Sequence, residues 1–273
     1  EEDHIRAKER ADSMLTGLQR YAAENAALGG IALSASEIKA LKAQGKAALI
    51  MSIENAYCLG NELSLVEHYY NMGVRMIGLT HNGNNELADA ATDSITEHGG
   101  LSGFGCRVIQ EMNRLGIIVD VSHASRLACL LAVRISETPV IASHSGVYNL
   151  KSIPRNLTDE EMIAIASRGG LIQVSIGRYF LSTQPKSEVG LDHLIEHINY
   201  VVALVGIDHV GIGSDFDGGG GVNGCEDMGE MKAITRALLL EGYSRDEIRK
   251  LWGDNVLRVM EEVRKYAESF QQF

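Results

Sequence analysis

The chain alternates between short, continuous apolar runs and longer segments with amphipathic spacing. The runs are rich in β-branched residues and are too short to be helices. They cover 48–53, 74–79, 117–121, 140–142, 171–176 and 210–212. Because apolar residues fill successive positions in each run, we expect parallel strands that are buried on both faces.

Helical spacing follows most of these runs and also opens the chain. The amphipathic segments cover 63–72, 104–115, 125–135, 158–167, 191–205 and 228–240. A first helix is predicted over 5–27. Its apolar stripe consists of Ala11, Met14, Leu15, Leu18 and Ala22. Capping boxes that mark helix starts begin at Ser34, Thr158 and Ser244. The repeated order of strand and helix predicts an α/β fold with right-handed crossovers.

Six predicted strands leave two architectures open. An open doubly wound sheet can stop at six, but an early Gly-rich phosphate turn is then expected, and the sequence has none. A (β/α)8 TIM barrel requires eight strands, so its first one or two would lie before Glu1 or near Ile31–Leu33. With three prolines and no repeat, we expect one domain over 1–273, incomplete at its N-terminus if it is a barrel.

Composition limits the classes of function. The chain has 273 residues, of which 45% are hydrophobic, and a formal net charge of −11. This apolar content excludes a disordered chain, and the acidic balance disfavours general nucleic-acid binding. No apolar run approaches the roughly 20 residues that a membrane helix needs. The acidic start lacks the layout of a signal peptide, and the compartment stays open. Four cysteines are too widely spaced for a disulfide framework.

Ionisable side chains follow five of the six predicted strands. Glu54 ends the first, His81 the second, His123 the third and His144 the fourth, and Asp215 ends the sixth. In a parallel α/β fold the carboxyl ends of the strands lie on one face. We therefore expect these five side chains to converge, although a lone histidine after a strand is more often structural.

Two imidazoles and a carboxylate suit Zn²⁺ or a similar ion, and three protein ligands with an open position are typical of hydrolytic metal sites. Such an ion lowers the pKa of bound water and polarises a carbonyl. The sequence carries no Gly-x-Ser-x-Gly nucleophile motif. His193 and His197 have helical spacing but not the metalloprotease order, so we interpret them as surface or core-edge residues.

Two loops after the strands carry further charged residues. Arg155 follows the fourth strand and can grip a carboxylate with two hydrogen bonds, while a surface pair with Asp159 or Glu160 explains it equally well. Asp215 and Asp217 precede a glycine run, and one of these acids can bind an amine or transfer a proton.

These residues lie in an ordered set of segments that resembles the membrane (renal) dipeptidase family, the M19 metallopeptidases, over nearly the whole chain. The segments are Ser-Ile-Glu-Asn-Ala at 52–56, Leu-Thr-His-Asn at 79–82, Gly-Leu-Ser-Gly-Phe-Gly at 100–105, Met-Asn-Arg-Leu-Gly at 112–116, Val-Asp-Val-Ser-His-Ala-Ser at 119–125, Ile-Ala-Ser-His-Ser at 141–145, Pro-Arg-Asn-Leu at 154–157, Gly-Ser-Asp-Phe-Asp-Gly at 213–218 and Gly-Asp-Asn-Val-Leu-Arg at 253–258. The set is specific because its members keep their order.

The resemblance implies a (β/α)8 barrel with two zinc ions, dipeptide substrates and a homodimer. Glu54 matches the family's bridging carboxylate, and His123 and His144 match the two histidines of one zinc. His81 matches the histidine that contacts the substrate and the tetrahedral intermediate. Arg155 matches the residue that holds the substrate's C-terminal carboxylate.

Asp215 matches the family's acid near the scissile bond, and the implied activity is hydrolysis of free dipeptides by a metal-bridging hydroxide. One feature departs from the family: its second zinc takes a His-x-Asp pair, and this sequence contains none. Two other hypotheses stay open. One is another amidohydrolase, a lactamase or a deaminase, on the same scaffold; the other is a metal-deficient ligand-binding protein.

Overall fold

The computed structural model describes residues 2–270, which divide into two compact units. The first unit extends to Pro139 and resumes at Arg258, and the second unit is Val140–Leu257. Each unit is built from parallel strands and the helices that follow them.

The first unit contains five strands. They are β1 (Gly29–Ile31), β2 (Ala47–Leu49), β3 (Met51–Ile53), β4 (Val74–Gly78) and β5 (Ile118–Asp120). β1 pairs with β2, and β3, β4 and β5 pair in that order, all in parallel. The helices are α1 (Glu2–Glu24), α2 (Ala35–Ala43), α3 (Ser64–Asn71), α4 (Gly103–Leu115) and α5 (Arg126–Ile135), with a 3-10 turn at Ala56–Leu59.

The second unit contains three parallel strands in the order β6 (Ile141–Ser145), β7 (Leu171–Ser175) and β8 (Val210–Gly213). Its helices are α6 (Asp159–Ser167), α7 (Arg178–Leu181), α8 (Leu191–Val205), α9 (Lys232–Glu241) and α10 (Arg245–Arg249). A π-helical turn, Lys250–Asp254, leads into α11 (Asn255–Phe270), most of which belongs to the first unit.

The predicted α/β class is confirmed, and each predicted strand is present. The run at 48–53 is divided at Ile50, because β2 pairs with β1 while β3 pairs with β4. β1 ends at Ile31, next to the segment Ile31–Leu33 near which a further barrel strand was expected. All three residues of β5 are buried, as expected for a strand that is covered on both faces.

Two of the three predicted capping boxes are complete. Thr158 and Ser244 each accept a hydrogen bond from the backbone of a glutamate three residues later, and that glutamate bonds back to the cap. Ser34 also accepts from the Glu37 backbone, but the Glu37 carboxylate bonds the backbone N–H of Leu33 instead. The start of α2 is therefore capped in one direction only.

The predicted apolar stripe of α1 is only partly buried. Leu15 and Ala22 are buried, but Met14 is 58% exposed and Leu18 44% exposed. Polar contacts orient this helix instead. The Asp12 carboxylate lies 2.9 Å from Nε2 of His68, and the Gln19 side chain donates to the carbonyl of Met72 at 2.7 Å.

Among residues 2–270, none of the helices combines the length and the apolar character needed to span a bilayer. None of the four cysteines, all within this range, forms a disulfide, and Cys129 is buried as a small apolar side chain.

His197 is a core residue of the second unit, which corrects its placement at the surface or core edge. The ring is fully buried in α8, where Nδ1 accepts from the backbone N–H of Val147 and Nε2 donates to the carbonyl of Leu181, each at 3.0 Å. Burial lowers the pKa of His197 to about 4. The imidazole is therefore neutral near neutral pH.

We expect the free energy of unfolding to fall on acidification, because the unfolded chain protonates His197 more readily than the folded protein does. A pKa of about 4 in the folded protein, against 6.5 for an unperturbed histidine, corresponds to a loss of about 2 kcal/mol between about pH 7.5 and about pH 5. Urea unfolding measures this loss. His197→Gln should remove this part of the pH dependence, and His209→Gln, at a partly exposed position, should retain it. Equal pH dependence in the wild type and His197→Gln would contradict the assignment.

Candidate functional site

Three of the predicted site residues come together at the carboxyl ends of β3, β4 and β5. Nε2 of His123 lies 3.0 Å from Oε1 of Glu54, and the rings of His81 and His123 stack with centroids 4.3 Å apart. The parallel pairing of the three strands produces this convergence, because it aligns their ends at one edge. The His123 imidazole is buried while Glu54 is about half exposed, so the pair is accessible from one side.

The backbone is strained where these side chains are presented. Among the described residues, the non-glycine residues with positive φ are Asn55 at 75°, His123 at 68° and Asp215 at 53°. Such a conformation costs roughly 1–3 kcal/mol for a non-glycine residue and persists where the surroundings enforce it. Each strained position is a predicted site residue or directly follows one. This distribution supports a functional role for the strand ends.

A buried amide that the sequence analysis did not single out holds the Glu54 turn. Nδ2 of Asn85 donates to Oδ1 of Asn55 at 2.9 Å and to the carbonyl of Leu79 at 2.8 Å. It thereby connects the residue after Glu54 to the segment that leads into His81. Asn85 belongs to a polar stretch directly after β4, and that stretch was the only sequence signal that could have found it.

Asp120 is a second residue that the sequence analysis did not select. It ends β5 and is buried, and its Oδ1 accepts the backbone N–H of Ser122 at 2.9 Å. This hydrogen bond shapes the turn that presents His123 one residue later.

In the second unit, His144 and Arg155 lie together. His144 is in β6, and its Nδ1 lies 2.8 Å from Oγ of Ser143. The carbonyl of His144 accepts a hydrogen bond from Nη2 of Arg155 at 3.3 Å. Arg155 is only 5% exposed, and its guanidinium carbon lies 5.2 Å from the ring centroid of Phe180. This burial excludes the alternative of a surface arginine.

Asp215 follows β8 at the start of a tight glycine turn. Its carbonyl accepts the backbone N–H groups of Gly218 at 3.1 Å and Gly220 at 2.7 Å. A Cβ atom at Gly218 would lie 2.2 Å from Oδ1 of Asp215, so the turn needs glycine there. Asp217 is exposed, whereas Asp215 is partly buried at the start of the turn.

Comparisons with known proteins show which family the chain belongs to. The family model described as "Membrane dipeptidase (Peptidase family M19)" matches residues 5–273. "Dipeptidase tcpJ" of Claviceps purpurea is 35% identical over 240 residues, which is 88% of this chain and 56% of that protein. The chain thus spans little more than half the length of this curated relative.

Two solved structures share the fold. One is the probable dipeptidase PvdM from Pseudomonas aeruginosa, with a TM-score of 0.88 and 34% identity, covering 93% of this chain and 78% of that one. The other is a metallo peptidase from Rhodobacter sphaeroides liganded with a phosphinate mimic of the dipeptide L-Ala-D-Ala, with a TM-score of 0.82 and 28% identity, covering 88% and 71%. From the family match across residues 5–273 and these relatives, the chain belongs to the membrane dipeptidase family, peptidase family M19.

Proposed function

We propose that this chain carries the catalytic site of a zinc-dependent dipeptidase that hydrolyses the peptide bond of free dipeptides. The observation that carries the proposal is the contact of Glu54 with His123, beside His81, in a chain of the M19 family. A relative of this family is liganded with a dipeptide mimic, which supports a substrate of this class.

We assign the metal to Glu54, His123 and His144, a candidate ligand group in which both imidazoles are buried and the carboxylate is exposed. One carboxylate with two imidazoles is a donor set that Zn²⁺ accepts, and it leaves a coordination position open. When bound, zinc lowers the pKa of a coordinated water and polarises a carbonyl. The His-x-Asp pair of the family's second zinc is not in these 273 residues, so the second ion is not assigned here.

Arg155 binds the C-terminal carboxylate of the substrate in this proposal. Its guanidinium is held between the carbonyl of His144 and the ring of Phe180, and an arginine so fixed can bind a carboxylate with two parallel hydrogen bonds. Arg155 holds the terminal carboxylate at a fixed position in this proposal. Only a short peptide then places its scissile bond at the acidic and imidazole groups of the site.

His81 and Asp215 handle charge and protons at the scissile bond. His81 is partly exposed and stacks on His123, so its N–H can stabilise the oxyanion that develops on the carbonyl oxygen. Asp215 delivers a proton to the leaving amine, and its strained turn limits its motion.

Two further proposals come from the family resemblance. We propose that residues 1–273 act as a single catalytic domain of the barrel type, and that the protein is a homodimer. Size-exclusion chromatography with light scattering distinguishes a dimer from a monomer.

Glu54→Gln should reduce kcat for free dipeptides at least ~100-fold, because the variant removes the negative charge that balances the cation and its nucleophile. Hydrolysis of a dipeptide panel and zinc content by mass spectrometry measure the effect together. Glu62→Gln, which changes an exposed carboxylate of the same unit, is the matched control. It should change neither kcat nor the zinc content. Near wild-type turnover by Glu54→Gln with metal bound would reject the assignment. A wild type that cleaves lactams or deaminates amines instead of hydrolysing dipeptides would favour the other amidohydrolase hypothesis.

Arg155→Ala should raise KM for free dipeptides about 10- to 100-fold, since a charge-assisted hydrogen bond contributes about 1.5–3 kcal/mol. For dipeptide amides, which lack the carboxylate, the same substitution should change KM little. Steady-state kinetics on matched acid and amide substrates measures the difference, with Arg249→Ala, an exposed arginine, as the control. An unchanged KM for the free dipeptide would refute the anchoring role.

A further inference from the structure

A buried amide lies directly beside Arg155 in the sequence and joins three segments of the second unit. Oδ1 of Asn156 accepts the backbone N–H of Gly146, and Nδ2 donates to the carbonyls of Lys151 and Phe180, each at 2.9 Å. Asn156 is 3% exposed. The amide thereby links the end of β6 and the following loop to helix α7.

His197 connects the same two regions from a different element. It accepts from the backbone N–H of Val147 and donates to the carbonyl of Leu181, the residues that follow Gly146 and Phe180. Since a backbone N–H only donates and a carbonyl only accepts, the neutral ring carries its proton on Nε2. We call Asn156 and His197 the amide–imidazole clamp.

Two groups that contact Arg155 depend on this clamp. One is the carbonyl of His144. It lies two residues before Gly146, whose backbone N–H donates a hydrogen bond to Asn156. The other is the ring of Phe180, whose carbonyl Asn156 holds. The approach is close: a Cβ atom at Gly146 would lie 2.4 Å from Oδ1 of Asn156. Loss of the amide would loosen these two supports of the guanidinium at once.

We propose that Asn156 is a positioning residue that acts through Arg155 to form the substrate-carboxylate site, an inference that rests on the proposed role of Arg155. The amide touches no substrate. It sets the orientation of the guanidinium, so it determines affinity for the free carboxylate rather than the chemical step.

Asn113 provides a matched comparison from the first unit. It is 2% exposed and also bonds through its amide, donating to Thr138 Oγ1 at 2.8 Å and accepting the backbone N–H of Glu137 at 2.8 Å. Its hydrogen bonds reach none of the proposed site residues. A purely structural buried amide should behave like Asn113.

A double-mutant cycle with Arg155 tests the inference. Asn156→Ser should raise KM for free dipeptides ~10-fold with kcat within about twofold, and it should add nothing in the Arg155→Ala background, as coupled residues do. Asn113→Ser should lower Tm and leave KM unchanged. An unchanged KM in Asn156→Ser, or the same rise in both backgrounds, would overturn the inference. If Asn156→Ser does not fold, Asn156→Asp, which keeps the size and the acceptor, takes its place.

A crystal structure of the Asn156 variant separates this inference from the proposed function. We expect the Arg155 guanidinium to leave the carbonyl of His144 and the ring of Phe180, whatever substrate the protein uses. A guanidinium that keeps both contacts would refute the positioning role and leave the dipeptidase proposal standing. Absence of dipeptide hydrolysis by the wild type would refute that proposal, and the displacement would still report on Asn156.

Discussion

The proposed metal site depends on the contact between the Glu54 carboxylate and the His123 imidazole. Two strand ends present these groups 3.0 Å apart, and the imidazole is buried while the acid is open to solvent. A hydrogen-bonded acid and imidazole can be structural, but His123 also holds a left-handed backbone conformation, which is uncommon for a non-glycine residue and clusters at functional sites. Strain, burial and donor chemistry at one position support the proposed role of His123 as a metal ligand.

The fold was largely predictable, because continuous apolar runs are local signals. The convergence of Glu54, His81 and His123 was also predictable, since parallel pairing forces neighbouring strand ends to one edge. The stripe of α1 is only partly buried, and polar contacts such as that of Asp12 with His68 also hold this helix. The burial of His197 was missed because its partners lie 50 and 16 residues away, and no local pattern records such distant bonds.

Each unit supports its site residues in the same physical way. A buried asparagine amide bonds groups next to a proposed site residue: Asn85 bonds the side chain of Asn55 beside Glu54, and Asn156 bonds the carbonyl of Phe180, whose ring contacts Arg155. Buried amides must be satisfied in both directions, so they fix the backbone more tightly than apolar packing does. Family resemblance suggested the residues that we propose to contact substrate, and only the three-dimensional contacts identified the residues that hold them.

Diffraction at the zinc absorption edge, from crystals of the protein supplied with zinc, tests the central claim most directly. The account predicts an anomalous peak bonded to Glu54, His123 and His144. A zinc-loaded crystal without an anomalous peak at His123 would contradict the proposed metal site. So would an ion that is bound elsewhere and makes no bond to Glu54.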